Sequence, residues 1–333
     1  MASFVEALFR AVEDQRTGNV LLTFQQRNPD RSEFKKPSAA AIASVMLFAF
    51  GASVFGAAPS NAASTTTVKV ASYNVDSAWR EVSQPEIPGW DFRVVGVKNV
   101  INAAKPDVIG LQEAPNITIG LRHYTQASDI QRATGYAMYQ PADGATVPIP
   151  ILWRAGLFDM TASSYKVFEF KPYPNYGRAM TWVKLKSKGT GKEFFVFNTH
   201  FEVGADEQAA RNSEATMLAA EIQRVNPGGL PAFVTGDFNA SASISAPQTT
   251  ELSAIGYTDS YGIAAARRHP EYNTHNGYTS PTAGGSRIDQ VYVGPATNVT
   301  VSYWENWAPY GNQIVGGRPP SDHDLVYTTA TFQ

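Results

Sequence analysis

From residue 64 onward the sequence predicts an α/β protein, with two β-sheets stacked as a sandwich and helices packed outside them. Three features point there. Short runs alternating apolar and polar residues recur along the whole stretch, with a few segments of helical spacing between them. No internal repeat or low-complexity linker divides these runs, so they belong to one domain. The chain has 333 residues and is 43% hydrophobic and 17% charged, enough to bury a large core.

The elements follow in order. "TTVKVASYNV" alternates and reads as a strand. "RVVGVKNVINAAK" has helical spacing and stops at Pro106. "DVIGLQEA" is a buried strand that ends in polar residues. "SDIQRATGYAMY" reads as a short helix and then a strand, and "PIPILWRAGLFDMTASSYKVFEF" as two strands with a turn at "RAGLFD". "AMTWVKLKSKGTGKEFFVFNTHF" is a hairpin turning around Gly189–Gly191. "DEQAARNSEATMLAAEIQRVN" is the most strongly amphipathic helix and is ended by "PGG". "PAFVTGDFNA", "SRIDQVYVG", "VTVSYWENW" and "HDLVYTTATF" complete the strands.

The first 63 residues are organised differently. Residues 1–36 are polar and mixed in charge and end in Lys35-Lys36. The uncharged run "AAAIASVMLFAFGASVFGAA" follows, then "PSNAAS", whose small residues suit cleavage after Ala62 or Ala63. A positive flank, an apolar stretch and a small-residue exit are the parts of a secretory signal, so residues 37–63 are expected to direct export. The run is also long enough to span a bilayer, and an uncleaved anchor is the alternative. Either way residues 64–333 form the folded domain and lie outside the cytoplasm, secreted or tethered to the membrane.

Composition narrows the function. The formal net charge is −2 and the pI about 6.2, so a protein that coats nucleic acid through a basic surface is disfavoured. There is no cysteine, which excludes disulfides, thiolate catalysis and thiolate metal sites. Any metal must be held by oxygen and imidazole.

The strands share a peculiarity at their ends. Apolar runs finish in "YNV", "QEA", "NTHF", "GDFN" and "RIDQ", and "SDH" precedes the last one. If these strands are neighbours, Asn74, Glu113, Asn198, His200, Asp237, Asn239, Asp289, Asp322 and His323 can meet at one edge. Singly, each has an ordinary explanation: Asn74 and Asn239 as turn residues, Glu113 as a solvated strand end, His200 as a hydrogen-bonded core histidine. Their joint recurrence is what asks for chemistry.

The ordered set "SYNV … GLQEA … NTHF … TGDFNA … RIDQVYV … SDHDLV" resembles the endonuclease/exonuclease/phosphatase superfamily over about residues 68–332. The resemblance implies a four-layer α/β sandwich of two mostly antiparallel sheets flanked by helices. It also implies hydrolysis of phosphate esters with a divalent cation, Mg²⁺ first and Mn²⁺ or Ca²⁺ as alternatives. Glu113 would be the principal metal carboxylate, with Asn74 its neighbour and Asp322 at a second or shifted metal position. Asp237 and Asn239 would hold and activate the attacking water, and His200 and His323 would contact the phosphate. Asp289 would orient His323, since a carboxylate on one ring nitrogen sets the tautomer and raises basicity. Arg178 would bind phosphate, its rival reading being a surface arginine on a hairpin, and Asn198 is placed with the substrate. The general base stays open between Asp237 and His323. The sequence departs from the nuclease pattern in lacking a Glu to pair with His200, since "YQPADGATVP" offers only Gln140 and Asp143.

A phosphodiester is the first expectation for the substrate, with nucleic acid among the candidates. A phosphomonoester or a lipid phosphodiester is the alternative, and a catalytically silent binding module on the same fold is the rival from another class. The aromatic segment "VSYWENWAPYG", with Trp304 and Trp307, could stack on bases or touch lipid, but core packing is favoured because aromatic rings bury large areas. Tyr261 and His275 read as structural.

Overall fold

In a computed structural model, residues 64–333 are described apart from 120, 142–146, 170–176, 280, 296, 298 and 309–316. The expected signal or anchor and Asp143 lie outside the described residues. No helix among those described is long and apolar enough to cross a membrane.

In chain order the elements are β1 (Thr66–Asn74), α1 (Arg80–Ser83), α2 (Trp90–Ala104), β2 (Val108–Gln112), β3 (Asn116–Ile119), β4 (Arg122–Thr125), α3 (Gln126–Thr134), β5 (Ala137–Tyr139), β6 (Ile151–Trp153) and β7 (Phe158–Glu169). There follow β8 (Arg178–Ser187), β9 (Glu193–His200), α4 (Gln208–Val225), β10 (Ala232–Asp237), α5 (Pro247–Ala254), β11 (Thr258–Asp259), α6 (Ser260–Ile263), β12 (Ala266–Arg268), β13 (Asp289–Gly294), β14 (Val299–Asn306) and β15 (Val326–Phe332). One sheet runs β12-β14-β15-β1-β2-β6-β5 and the other β11-β13-β10-β9-β8-β7, with β3–β4 a separate hairpin. The expected hairpin is β8–β9, closed through Gly191 at φ 72. The "RAGLFD" turn does more than reverse the chain, because β6 belongs to the first sheet and β7 to the second.

The period-two alternation decides which side chains face which layer. Val68, Val70, Val108, Phe194, Val196, Phe233, Val291 and Val293 pack between the sheets. Their neighbours of opposite parity face outward. Ala71, Tyr73, Ile109 and Leu111 meet Trp90, Val97, Ile101 and Ile130 of α2 and α3. Phe195, Phe197, Val234 and Tyr292 meet Ala215, Leu218, Ile222 and Leu252 of α4 and α5. The result is four layers, with helices outside both sheets.

Two parallel pairs set the position of everything that follows. β1 runs parallel to β2, and β9 parallel to β10, so these four strands deliver their last residues in pairs. β13 is antiparallel to β10 and β15 to β1, so their first residues arrive at those same ends. The inward parity that carries Val70, Val196 and Phe233 continues to Asn74, His200 and Asp237. The interlayer space therefore changes from apolar to polar as it nears one edge.

The sheets approach closely where the change begins. A Cβ on Gly110 would lie 2.1 Å from Thr235 Oγ1 and 2.5 Å from Asn198 Oδ1. Gly110→Ala is therefore expected to destabilise the domain by about 2–3 kcal/mol, the cost of overpacking a filled interior. Chemical denaturation measures it, and a change under about 0.5 kcal/mol would contradict this close approach.

Candidate active site

Asp237 sits at the centre. The β10–β9 and β10–β13 registers place it directly opposite His200 and Asp289. Its Oδ1 accepts from the backbone N–H of Asn239 at 2.9 Å and its Oδ2 from Asn74 Nδ2 at 3.0 Å. The Nε2 atoms of His200 and His323 each lie 3.6 Å from Oδ2. Burial, with a further push from the charge of Asp289, raises Asp237 to about 7 against the attraction of His323.

The two histidines are held in opposite states. His323 Nδ1 donates to Asp289 Oδ2 at 2.9 Å. Burial alone would lower its pKa, but Asp289 and Asp237 outweigh burial and hold it well above the ordinary value, so His323 is a cation. Burial, helped by the charges of Arg178 and His323, holds His200 well below the ordinary value, so His200 is neutral. Its Nε2 accepts from Asn239 Nδ2 at 3.1 Å. His200 Nδ1 has no hydrogen-bond partner among the described residues. No carboxylate there takes the place of the Glu missing from the sequence.

The backbone around the site is tightly specified. Asp76, Glu113 and Asn239 adopt φ values of 52°, 54° and 47°, left-handed conformations that cost energy for non-glycine residues. Arg93 of α2 is fully buried and donates to the carbonyls of Val75, Asp76, Pro88 and Pro320. Ser321 Oγ donates to Asn74 O at 2.7 Å. These bonds tie the end of β1 to the segment carrying Asp322 and His323. Thr274 Oγ1 accepts from Asp289 N at 3.0 Å, and His275 bridges to His323.

Several expected roles change. Asn74 stands between two carboxylates: its Nδ2 donates to Glu113 Oε1 and Asp237 Oδ2, both at 3.0 Å, while its oxygen accepts from Asp76 N. It thereby links the two carboxylates, and its oxygen, which accepts one N–H, keeps a second lone pair. Asp322 forms with His275 and His323 a group whose ligand atoms lie within 4.8 Å of one another, as the expected second or shifted metal position requires. Its carboxylate is ion-paired with Arg80, with His275 Nε2 at 3.8 Å and His323 Nε2 at 3.9 Å. Burial alone would raise Asp322, but the nearby His275 and the charges of His323 and Arg80 hold it well below the carboxylate range.

Asn198 is not placed to meet substrate. It lies two residues before His200, one pleat repeat and roughly 7 Å deeper between the sheets. Its Nδ2 donates to the carbonyls of Leu111, Ile149 and Pro150, and its Oδ1 accepts from Gln112 and Thr235. Every hydrogen-bonding position is used by the protein.

Arg178 is neither a surface residue nor free to grip phosphate. It is 7% exposed, and its guanidinium forms a two-point pair with Glu202 at 3.1 and 3.3 Å. Behind it one oxygen each of Glu169, Glu202 and Glu214 gather within 4.8 Å of one another. Glu214 is pushed from its ordinary 4.5 up to about 7, first by burial and then by its acidic neighbours. Between those values the folded chain holds a proton that the unfolded chain has lost. This contribution to stability is full below 4.5 and gone once pH passes 7. It amounts to roughly 3 kcal/mol. Glu214→Gln should flatten the stability–pH profile over that window and be the more stable form at pH 8, as thermal melts would record.

The sequence reading missed Asp76, Arg80 and Tyr278, and took His275 for structural. Asp76 is fully buried, accepts from the Tyr278 hydroxyl, and is raised to about 7 by burial and by the charge of Asp322. Asp76 continues the parity of Asn74 and could have been suspected on that ground. No local signal marks Arg80. The two tryptophans of the aromatic segment pack inward: Trp304 is 1% exposed against Tyr261, and Trp307 packs on the cluster beneath α2.

The sequence profile of the Endonuclease/Exonuclease/phosphatase family matches residues 71–323. The chain belongs to this family. None of the curated proteins matches it in sequence. Among solved structures it is similar to an endonuclease/exonuclease/phosphatase family protein from Bacteroides thetaiotaomicron, at 24% identity and TM-score 0.67, over 81% of this chain and 99% of that one. A mannosyl-6-phosphatase of the same organism is similar at 23% identity and TM-score 0.64, over 78% and 98%. TDP2 of D. rerio, complexed with a single-strand DNA product, is similar at 19% identity and TM-score 0.58, over 80% and 99%. These likenesses agree with the four-layer sandwich seen here.

The acidic edge suits the divalent cation that family membership implies. Its donors are carboxylate and amide oxygens, which hard cations prefer. Asp237 rises to about 7 through burial near the anion Asp289, as expected of a buried site with a surplus of negative charge. Glu113 is the half-buried carboxylate on the border of that surplus.

Proposed function

We propose that this chain is a divalent-metal-dependent hydrolase of phosphate esters, cleaving phosphodiester bonds, and that residues 37–63 direct it out of the cytoplasm. The observation that carries the catalytic reading is Asp237, set between His200 and His323 with both Nε2 atoms 3.6 Å from one oxygen. A carboxylate there can take a proton from water while a cationic N–H faces developing negative charge. Glu113 would hold the cation, which when bound supplies charge to polarise the phosphoryl group. His323 donates from Nε2, and Asp289 keeps its Nδ1–H directed away. Asn239 holds His200 with Nε2 as an acceptor. So filled a polar edge disfavours the binding-module reading. The buried Trp304 removes one aromatic contact from a lipid-surface reading.

A phosphomonoester is the second reading. The similar mannosyl-6-phosphatase favours it, as does the partly exposed guanidinium of Arg80 beside Asp322. Turnover of the full-length chain on single- and double-stranded DNA, RNA, bis-p-nitrophenyl phosphate, p-nitrophenyl phosphate, a hexose 6-phosphate and sphingomyelin decides between them. Mg²⁺-dependent cleavage of diesters, abolished by EDTA and in an Asp237→Asn/His323→Ala double variant, is expected. Cleavage of monoesters alone would replace the diester reading, and metal-independent turnover would overturn the whole. Export is tested by N-terminal sequencing of protein recovered outside the cell, expected to begin at Ala63 or Ser64; a start before Lys36 would refute cleavage.

A further inference from the structure

We infer that Arg80 supplies the second positive charge of this site, so that the chain takes one divalent ion where two acidic groups could otherwise have held another. The inference rests on the metal-dependent reading above. Arg80 Nη1 pairs with Asp322 and lies 3.4 Å from Asp76 Oδ1. The two carboxylates come from different segments, one just past β1 and one just before β15, and both are nearly inaccessible to water. A pair of buried carboxylates converging on one point is where a bridging cation would sit, and a guanidinium nitrogen already sits there.

The rest of the surroundings leave little else for these acids to do. Asp76 Oδ2 accepts from Tyr278, and Asp322 also faces His275 at 3.8 Å. Arg80 Nη2 donates to Gln84 Oε1 at 3.3 Å, one turn along the helix. The arginine is thus held from two sides. Guanidinium stays charged at any working pH and cannot be diluted away as a metal can. Among the described residues Glu113 has no cation within ion-pair distance. Its oxygens accept there from the neutral N–H groups of Asn74 and Ser77. The acidic edge therefore divides into a half already neutralised by the chain and a half that still calls for a cation.

The test is Mn²⁺ binding to the full-length chain, followed by electron paramagnetic resonance and calorimetry. The wild type should bind one Mn²⁺. Arg80→Met should bind two, and Arg80→Met/Asp322→Asn one again. Arg80→Lys, which keeps the charge, should stay at one. Activity adds a second readout: the turnover Arg80→Met loses at low Mn²⁺ should return at least about tenfold as Mn²⁺ is raised, whereas the wild type gains nothing further. Arg80→Gln serves in the same way if the Met variant does not fold by circular dichroism. Two ions in the wild type, or one ion in both folded uncharged variants, would overturn the inference. A folded wild type that binds no Mn²⁺ would instead refute the metal-dependent reading beneath it.

Discussion

Asp237→Asn is expected to lower turnover of a phosphate ester by at least about a hundredfold while the domain stays folded. The carboxylate has three jobs at once. It accepts the Asn239 N–H, it accepts from Asn74 Nδ2, and it faces both histidines. The amide can keep the first bond. It cannot take a proton, and its Nδ2 would oppose Asn74 Nδ2 or give up the Asn239 bond. The pH profile separates loss of a base from simple distortion. In the wild type kcat/KM should rise as Asp237 loses its proton, a loss that burial pushes up to about 7 and that a bound cation would shift lower. The residual rate of Asp237→Asn should lack that limb. A variant retaining a tenth of wild-type turnover, with the limb intact, would remove Asp237 from the proton-accepting role.

Glu113→Gln carries the second large effect. Glu113 follows β2 in a left-handed conformation and is braced by Asn74 Nδ2 on one oxygen and Ser77 N on the other, at 3.0 and 3.1 Å. Glutamine keeps the shape and one acceptor but loses the charge. The expected result is a loss of about a hundredfold in turnover at limiting Mg²⁺, partly recovered at high Mg²⁺, with little change in melting temperature. The variant stays inactive in EDTA like the wild type. An unaltered Mg²⁺ requirement would place the ion elsewhere, and the group formed by Asp237, Asp289 and His323, whose ligand atoms lie within 4.8 Å of one another, would be the next to test.

Much of the core and part of the site follow from local pattern. Alternation with period two is a property of each strand alone, and it already places Asn74, His200, Asp237 and Asp289 on the same inner faces as Val70, Val196, Phe233 and Val291. The helix α4 and the β8–β9 hairpin are likewise written into spacing and a glycine turn, although α4 is not the strongly amphipathic helix expected, because its buried face also takes Arg211, Glu214 and Glu221. The short elements were not legible, among them α5, α6 and the β3–β4 hairpin, because a few residues carry too little periodicity.

What the tertiary structure decided is depth and partnership. Asn198 and His200 share a face and a motif, yet one lies a pleat below the other and is consumed by bonds across the sheets. Arg178 looks like a phosphate grip in isolation and is spent on Glu202, from the loop after β9. Arg80 sits on a four-residue helix with no distinguishing neighbour, and only the approach of β15's leading segment to the end of β1 gives it Asp322 and Asp76. Strand parity arises from the local backbone and can be read from one run of residues. Register, sheet stacking and ion pairing join groups far apart in the chain, 242 positions for Arg80 and Asp322, and no local pattern encodes them.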